Sequence, residues 1–269
     1  LKSVQDLRKY KDVFADPNDP SKGAILNCII GWQCQKINRA KWFAYDMYDD
    51  FNIVEPGSSA ALKAGVIGPY EAGEPFVSYY WQPTDVINLR DMILLEEPKN
   101  NPECQAALDA AVEEEPYEST IGCGFPIGDA HVLVNGEFAK RQPQVIQFLT
   151  NYYIPPKPLA EAEAYKAEAD VDWIDVAIKY LRENKDTWST WITDSNSAEI
   201  IANVEDQLAR EAETKQVVAL VIPKEKIMFH DGQWGSLWVM NAVARYIIEN
   251  GYDYETEEVQ GTTGTVKVT

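Results

Sequence analysis

The chain has 269 residues, 45% of them hydrophobic and 25% charged, which is enough for one large domain or two lobes with separate cores and unlike a disordered or fibrous composition. A formal charge of −19 opposes binding to nucleic acid or to an anionic membrane surface, since both are held through clustered Lys and Arg; its field favours small cationic ligands. No run reaches the roughly 18 apolar residues of a membrane span. LKSVQDLRKY lacks the apolar core of a signal peptide, so the expectation is a soluble chain, or one that has lost its leader.

Residues 4–14 read as a short helix, and DPNDPSKG, with two Pro and a Gly, as a turn cluster. AILNCII then reads as a strand that feeds a Cys-bracketed loop, and INRAKWFAYDMYDDF as a helix. SSAALKAGVIGPYEAG is a second helix, with Ser58 and Ser59 as N-cap candidates and Gly at its end. EPFVSYYWQPTDV has the β-branched and aromatic content of a strand that stops at Pro83. This strand, helix, helix, strand order with long connections points to the α/β class. EEPKNNPECQAALDAAVEEEPYEST looks like a polar connection between lobes. GFPIGDAHVLVN resumes a strand and QPQVIQFLTNYY a helix. In VDWIDVAIKYLRENKDTWSTWI, residues Trp173, Val176, Ala177, Tyr180 and Leu181 share one helical face, with Asp172 near the positive end. EIIANVEDQLAREAETK is charged, helical and the most linker-like stretch. VVALVI and KIMFH are expected strands, and WGSLWVMNAVARYIIENGY is an amphipathic helix with Gly251 at C′.

Catalytic readings are poor. His131, inside an apolar strand pattern, reads as a core or strand histidine, and His230 beside Asp231 has no nucleophile motif near it. The 43 carboxylates allow any acid pair to be proposed and so single out none. Cys28–x5–Cys34 and Cys104–x18–Cys123 match no zinc pattern, and phosphate- and dinucleotide-binding glycine motifs are absent. No cofactor or metal is expected. An even number of locally bracketed cysteines fits two disulfides and an oxidising compartment; four buried thiols are the alternative.

The aromatic residues say more. Trp32 lies in the Cys loop, Tyr79, Tyr80 and Trp81 close a strand, and Trp234 stands between Gly232 and Gly235 where a strand turns into a helix. Ligands in α/β folds bind beyond the carboxyl ends of strands. Rings gathered there can hold a quaternary ammonium, which has no N–H to donate, by cation–π attraction. Three or four rings at up to about 2 kcal/mol each supply about 6 kcal/mol, and micromolar affinity needs about 8. Backbone N–H groups gripping an anionic end of the ligand would supply the rest. Trp173, Trp188 and Trp191 fall on one helix and read as packing.

LKSVQDL, CIIGWQC, EPGSSAALKAG and EPFVSYYWQP together resemble the second lobe of the glycine betaine-binding proteins of ABC transporters, and IGCGFPIGDAHVLVN with ENKDTWSTWI resembles the return to the first lobe. The resemblance extends over most of residues 1–195. It implies a type II periplasmic-binding-protein-like fold, two α/β lobes closing on a ligand in the cleft between them, without enzymatic activity. It implies Trp32 and Trp81 as cage walls, the N–H groups of Gln33 and Cys34 on the ligand carboxylate, and Cys28–Cys34 as the loop disulfide. The implied partners are a small quaternary ammonium ligand and a membrane ABC permease, in a periplasmic or extracellular setting, free or lipoprotein-anchored. KIMFHDGQWGSLWVMNAVARYIIENGYDYETEEVQGTTG resembles the start of the same family's mature chain, although here it comes last. The implied organisation is thus permuted, with part of a lobe lacking: second lobe 1–121, return to the first lobe 122–195, bridging segment 196–224 and first-lobe start 225–269, with Trp234 as a first-lobe wall. The competing classes are a secreted carbohydrate-active or carbohydrate-binding protein, whose aromatic cleft would suit sugars, and a fragment without a working site.

Overall fold

Residues 1–126, 128, 131–213 and 226–261 are described by the computed structural model, and they fall into two units, 1–82 with 86–128 and 83–85 with 129–261. The first unit opens on a 3-10 helix, Val4–Tyr10, that drives Leu7 into the core. The expected turn cluster is largely strand instead. β1 (Ala15–Asp16) pairs antiparallel with β2 (Asp19–Leu26), because the Asp16 carboxylate caps the turn by accepting from the Asn18 N–H at 2.8 Å and frees the next residues to extend. α1 (Gln33–Ala44) then crosses over to β3 (Phe51–Val54), which lies parallel to β2 in the register Gly23↔Phe51. In α2 (Ser59–Ala72) the Ser58 hydroxyl accepts the Ala61 N–H at 3.1 Å, and Gly73 closes the helix in the left-handed conformation. α3 (Asp85–Asn88) is a single turn.

The polar stretch read as a connection holds α4 (Pro102–Ala111), with Pro102 at its start and the Asn101 side chain capping the Cys104 N–H at 3.0 Å. α4 is amphipathic: Cys104 and Leu108 bury against Ile37 and Ala40 of α1, and Trp42 of α1 and Tyr45 just past its end pack with Leu7, Met47 and Phe51. α1 therefore sits between two small cores. The parallel strands and crossover helices are those of the α/β class.

The second unit contains α5 (Gly136–Arg141), α6 (Pro143–Asn151), α7 (Pro156–Ala169), α8 (Trp173–Glu183), α9 (Lys185–Trp188) and α10 (Ser197–Glu213). β4 (Ile227–Asp231), α11 (Gly235–Tyr252) and β5 (Thr256–Gln260) form a β-α-β unit with parallel strands. α11 is the hub: Val239, Val243, Tyr246 and Ile247 are fully buried or nearly so, and α7, α8 and α10 pack around it. The stretch read as most linker-like is thus a core helix, since Ile200, Val204 and Leu208 recur at helical spacing and bury in this cluster.

Other expectations change as well. Gly251 does not cap α11, which runs one residue further to the left-handed Asp253. Gly251 is instead pressed on α10, where a Cβ would stand 2.8 Å from the Ile200 Cγ2. The expected strand around Val132–Val134 is absent among the described residues, and its side chains are exposed. VVALVI (217–222) lies outside the described residues.

Candidate functional site

Two chain segments leave the same end of the first unit's sheet. On one edge β2 pairs with β3; on its other edge Leu26 is bracketed by the segment around Ser78, donating to the Val77 carbonyl at 3.0 Å and accepting the Tyr79 N–H at 2.8 Å. The expected strand over residues 74–86 reduces, among the described residues, to a single bridge at Ser78, and the Cys loop and the Tyr79–Trp81 stretch emerge side by side at the carboxyl end of β2.

The loop is held at three levels. The Cys28–Cys34 disulfide closes it. Gly31 turns it at φ +90°, and Trp32 enters as the N-cap residue of α1 with its own N–H on the Ile29 carbonyl at 3.1 Å. Beneath it the buried Asn27 accepts the Cys28 N–H at 2.7 Å and an Asn38 amide hydrogen at 2.8 Å. One oxygen of Glu55, just past β3, accepts from Asn27 at 3.2 Å, Gln35 at 2.8 Å and Arg39 at 2.9 Å. This polar clasp ties loop, helix and strand together.

Trp32 is 6% exposed, and its ring centroid lies 5.7 Å from that of Trp81, the planes tilted by 53°. Tyr80 stacks on Trp81 at 4.6 Å and 3°. Tyr79 lies 6.3 Å from Trp81 and 5.6 Å from Phe125, and burial pushes its phenol up to about 12. Gln33 and Cys34 are the first residues of α1, so their N–H groups point out of its first turn, at the positive end of the helix dipole.

Behind this cluster, Lys41 of α1 is 5% exposed and donates to both oxygens of Glu97, at 2.8 and 2.7 Å. Its ammonium also stands 4.4 Å from the centroid of Phe125. Burial pulls the ammonium below the usual lysine range, and Glu97 opposes that shift. The Tyr45 hydroxyl donates to Glu97 at 2.8 Å, and burial, then the carboxylate, raises its pKa far above the ordinary tyrosine value. The Tyr45 ring fills the space where a Cβ on Gly122 would lie.

The expected residues Trp32, Gln33, Cys34 and Trp81 thus come together in one unit, with Cys28–Cys34 and Cys104–Cys123 both formed. Trp234 belongs to the other unit, at the N-cap of α11 with its ring over Gly232. The reading of Trp188 and Trp191 as packing holds, for both are core residues; Trp173 is partly buried against Trp238, at 5.4 Å. His131 is exposed and lies in no strand, contrary to the expected core or strand placement, because the segment around it never pairs. The carboxylate of Asp231 accepts from the Trp238 indole at 2.6 Å and the Gln233 N–H at 2.9 Å. Among the described residues, no group of three or more His, Cys, Asp or Glu is placed to hold a metal.

Sequence reasoning missed Asn27, Glu55, Lys41, Glu97 and Phe125. A pointer existed only for part of this set. Gln35 and Arg39 sit four apart on α1 and face one way, but nothing local names Glu55 or Glu97 as partners.

Residues 1–183 match a family model described as the substrate binding domain of the ABC-type glycine betaine transport system. The chain is 26% identical over 205 residues to a glycine betaine/proline betaine-binding periplasmic protein of Salmonella typhimurium (strain LT2), covering 69% of this chain and 59% of that protein. It is 26% identical over 154 residues to the glycine betaine-binding periplasmic protein OusX of Dickeya dadantii, covering 55% of this chain and 44% of that protein. A glycine betaine/proline betaine-binding periplasmic protein of Escherichia coli K12 is 24% identical over 186 residues, with 64% and 54% covered. The chain thus spans about half the length of these curated relatives.

Proposed function

Since the chain belongs to the family of substrate-binding domains of ABC-type glycine betaine transport systems, we propose that it captures glycine betaine or a related quaternary ammonium compound and delivers it to an ABC permease. The observation that carries the proposal is the Trp32–Trp81 pair, set at 5.7 Å beside the first turn of a disulfide-closed helix. A trimethylammonium group offers only C–H surface and diffuse charge, so ring faces satisfy it where hydrogen-bond acceptors cannot. Tyr80 stacks on Trp81 and fixes the plane of its ring. The Gln33 and Cys34 N–H groups then take the carboxylate, assisted by the positive end of α1. Such a ligand is neutral overall but charged at both ends, and each end meets a group of matching character.

The reading is one of binding without turnover. The setting proposed is extracytoplasmic, which agrees with two disulfides and with the periplasmic relatives. No helix among the described residues is long and apolar enough to cross a membrane.

Isothermal titration of the chain with glycine betaine tests the proposal. Micromolar binding is expected, weakened at least a hundredfold by Trp32→Ala, the loss of about 3 kcal/mol from a buried ring that meets the cation. No heat with glycine betaine or another trimethylammonium compound would remove the proposal.

A further inference from the structure

The buried pair Lys41–Glu97 has no evident use in holding the fold. Two charges taken out of water gain little over apolar residues of the same size, so such a pair is weak evidence of a stabilising role. Its geometry suggests another one. Glu97 engages Lys41 through both oxygens, at 2.8 and 2.7 Å, and Tyr45 fixes the same carboxylate at 2.8 Å, so the ammonium has one defined position. That position is over Phe125, 4.4 Å from the ring centroid.

Phe125 is 37% exposed, so burial alone does not hold its ring. Its backbone is anchored nearby: the Gly124 N–H donates to the Pro98 carbonyl at 2.9 Å, Asn100 donates to the Gly124 carbonyl at 3.0 Å, and Cys123 is tied to Cys104. The Lys41 ammonium at 4.4 Å and Tyr79 at 5.6 Å bear on the ring itself. Tyr79 in turn lies 6.3 Å from Trp81, and Trp81 lies 5.7 Å from Trp32. An unbroken line of ring contacts runs from a buried charge to the two tryptophans.

We propose that Lys41 and Glu97 are positioning residues for the aromatic cage: the pair pins an ammonium on Phe125, and Phe125 and Tyr79 carry that constraint to Trp81 and Trp32. The proposal rests on the reading of those tryptophans as cage walls. Within it, Lys41 is an internal cation held on Phe125. The cage is thereby set before any ligand arrives, which lowers the ordering cost of binding.

The test pairs glycine betaine titration with circular dichroism of the coupled aromatic rings in the free protein, a signal that reads their mutual orientation without any ligand. Lys41→Met combined with Glu97→Gln removes the charge from both partners and leaves Tyr45 an acceptor. Phe125→Leu breaks the line at a half-exposed ring and spares the core. Both variants should bind glycine betaine about tenfold more weakly, the scale of one cation–π contact, and both should lose part of the ring-coupling signal. Phe125→Tyr, which keeps a face for the ammonium, should retain both properties. An unchanged coupling signal in Phe125→Leu, or in the folded double variant, overturns the positioning role whatever happens to affinity. If instead the unmodified protein binds no glycine betaine while the coupling signal changes as described, the ligand reading falls and the positioning of the rings stands.

Discussion

Trp32 and Trp81 could be singled out in the sequence because each is marked locally, one by bracketing cysteines and the other by an aromatic run just before a proline. The groups that hold them could not. Glu55 lies 28 residues from Asn27, and Glu97 lies 56 from Lys41, so only the fold brings them together. Glu55 makes the sharper case because a single oxygen accepts from three donors, two of them on the buried Asn27 and Gln35. Glu55→Ala leaves those amides short of an acceptor and should lower stability by about 2 kcal/mol, more than an ordinary hydrogen bond contributes. Glu55→Gln keeps an acceptor oxygen and loses only the charge opposite the partly exposed Arg39, so it should cost under about 1 kcal/mol. Chemical denaturation of both variants decides the point. Equal losses would mean that the charge on Arg39, not the amide clasp, is what Glu55 supplies.

Among the elements, those with a clean start, stop and apolar stripe could be placed from sequence: α2 between Ser58 and Gly73, α8 with its buried Val176, Ala177, Tyr180 and Leu181, and α11. Misreadings came where polarity hid periodicity. α10 carries so many charges that it looks solvated on all sides, yet Ile200, Val204 and Leu208 form a stripe that seats on α11. α4 was hidden in the same way between prolines and glutamates. If α10 is a core helix, Val204→Ala should destabilise the protein by about 2 kcal/mol through the cavity it leaves. Glu205, the adjacent residue, is paired with Lys185 at the surface, and Glu205→Ala should cost under about 1 kcal/mol. A Val204→Ala variant as stable as the parent would return this stretch to the linker reading.

For the molecule as a whole, the question raised by the chain order is whether its last third is an appendage or part of a core. The family match ends at residue 183, and the resemblance of residues 225–269 to a chain start leaves both possibilities open. The second unit supplies a physical argument. Its hydrophobic cluster joins Val145, Phe148, Val176, Tyr180 and Leu181 from before residue 183 to Val239, Val243, Tyr246, Ile247 and Ile248 of α11. A polar tie runs the same way, the Tyr152 hydroxyl donating to the Met240 carbonyl at 2.7 Å, and within the last third the Tyr252 hydroxyl donates to the buried Asp194 at 2.8 Å. Without α11, the apolar faces of α6, α8 and α10 would face water, and at about 25 cal/mol per Å² that exposure outweighs the few kcal/mol by which domains of this size are stable. A chain ending at residue 213 should therefore lose the cooperative unfolding of the second unit and be cut readily by protease within α7–α10. The ring contacts among Trp32, Tyr79, Tyr80, Trp81 and Phe125 all lie within the first unit, and the ring-coupling signal should survive the truncation. Protease-resistant α8 in the shortened chain would show that the packing of α11 is dispensable. Loss of resistance there, with the tryptophan signal intact, would make residues 226–261 a structural completion of the second unit and place the Trp32–Trp81 cluster in a part of the fold that stands without it.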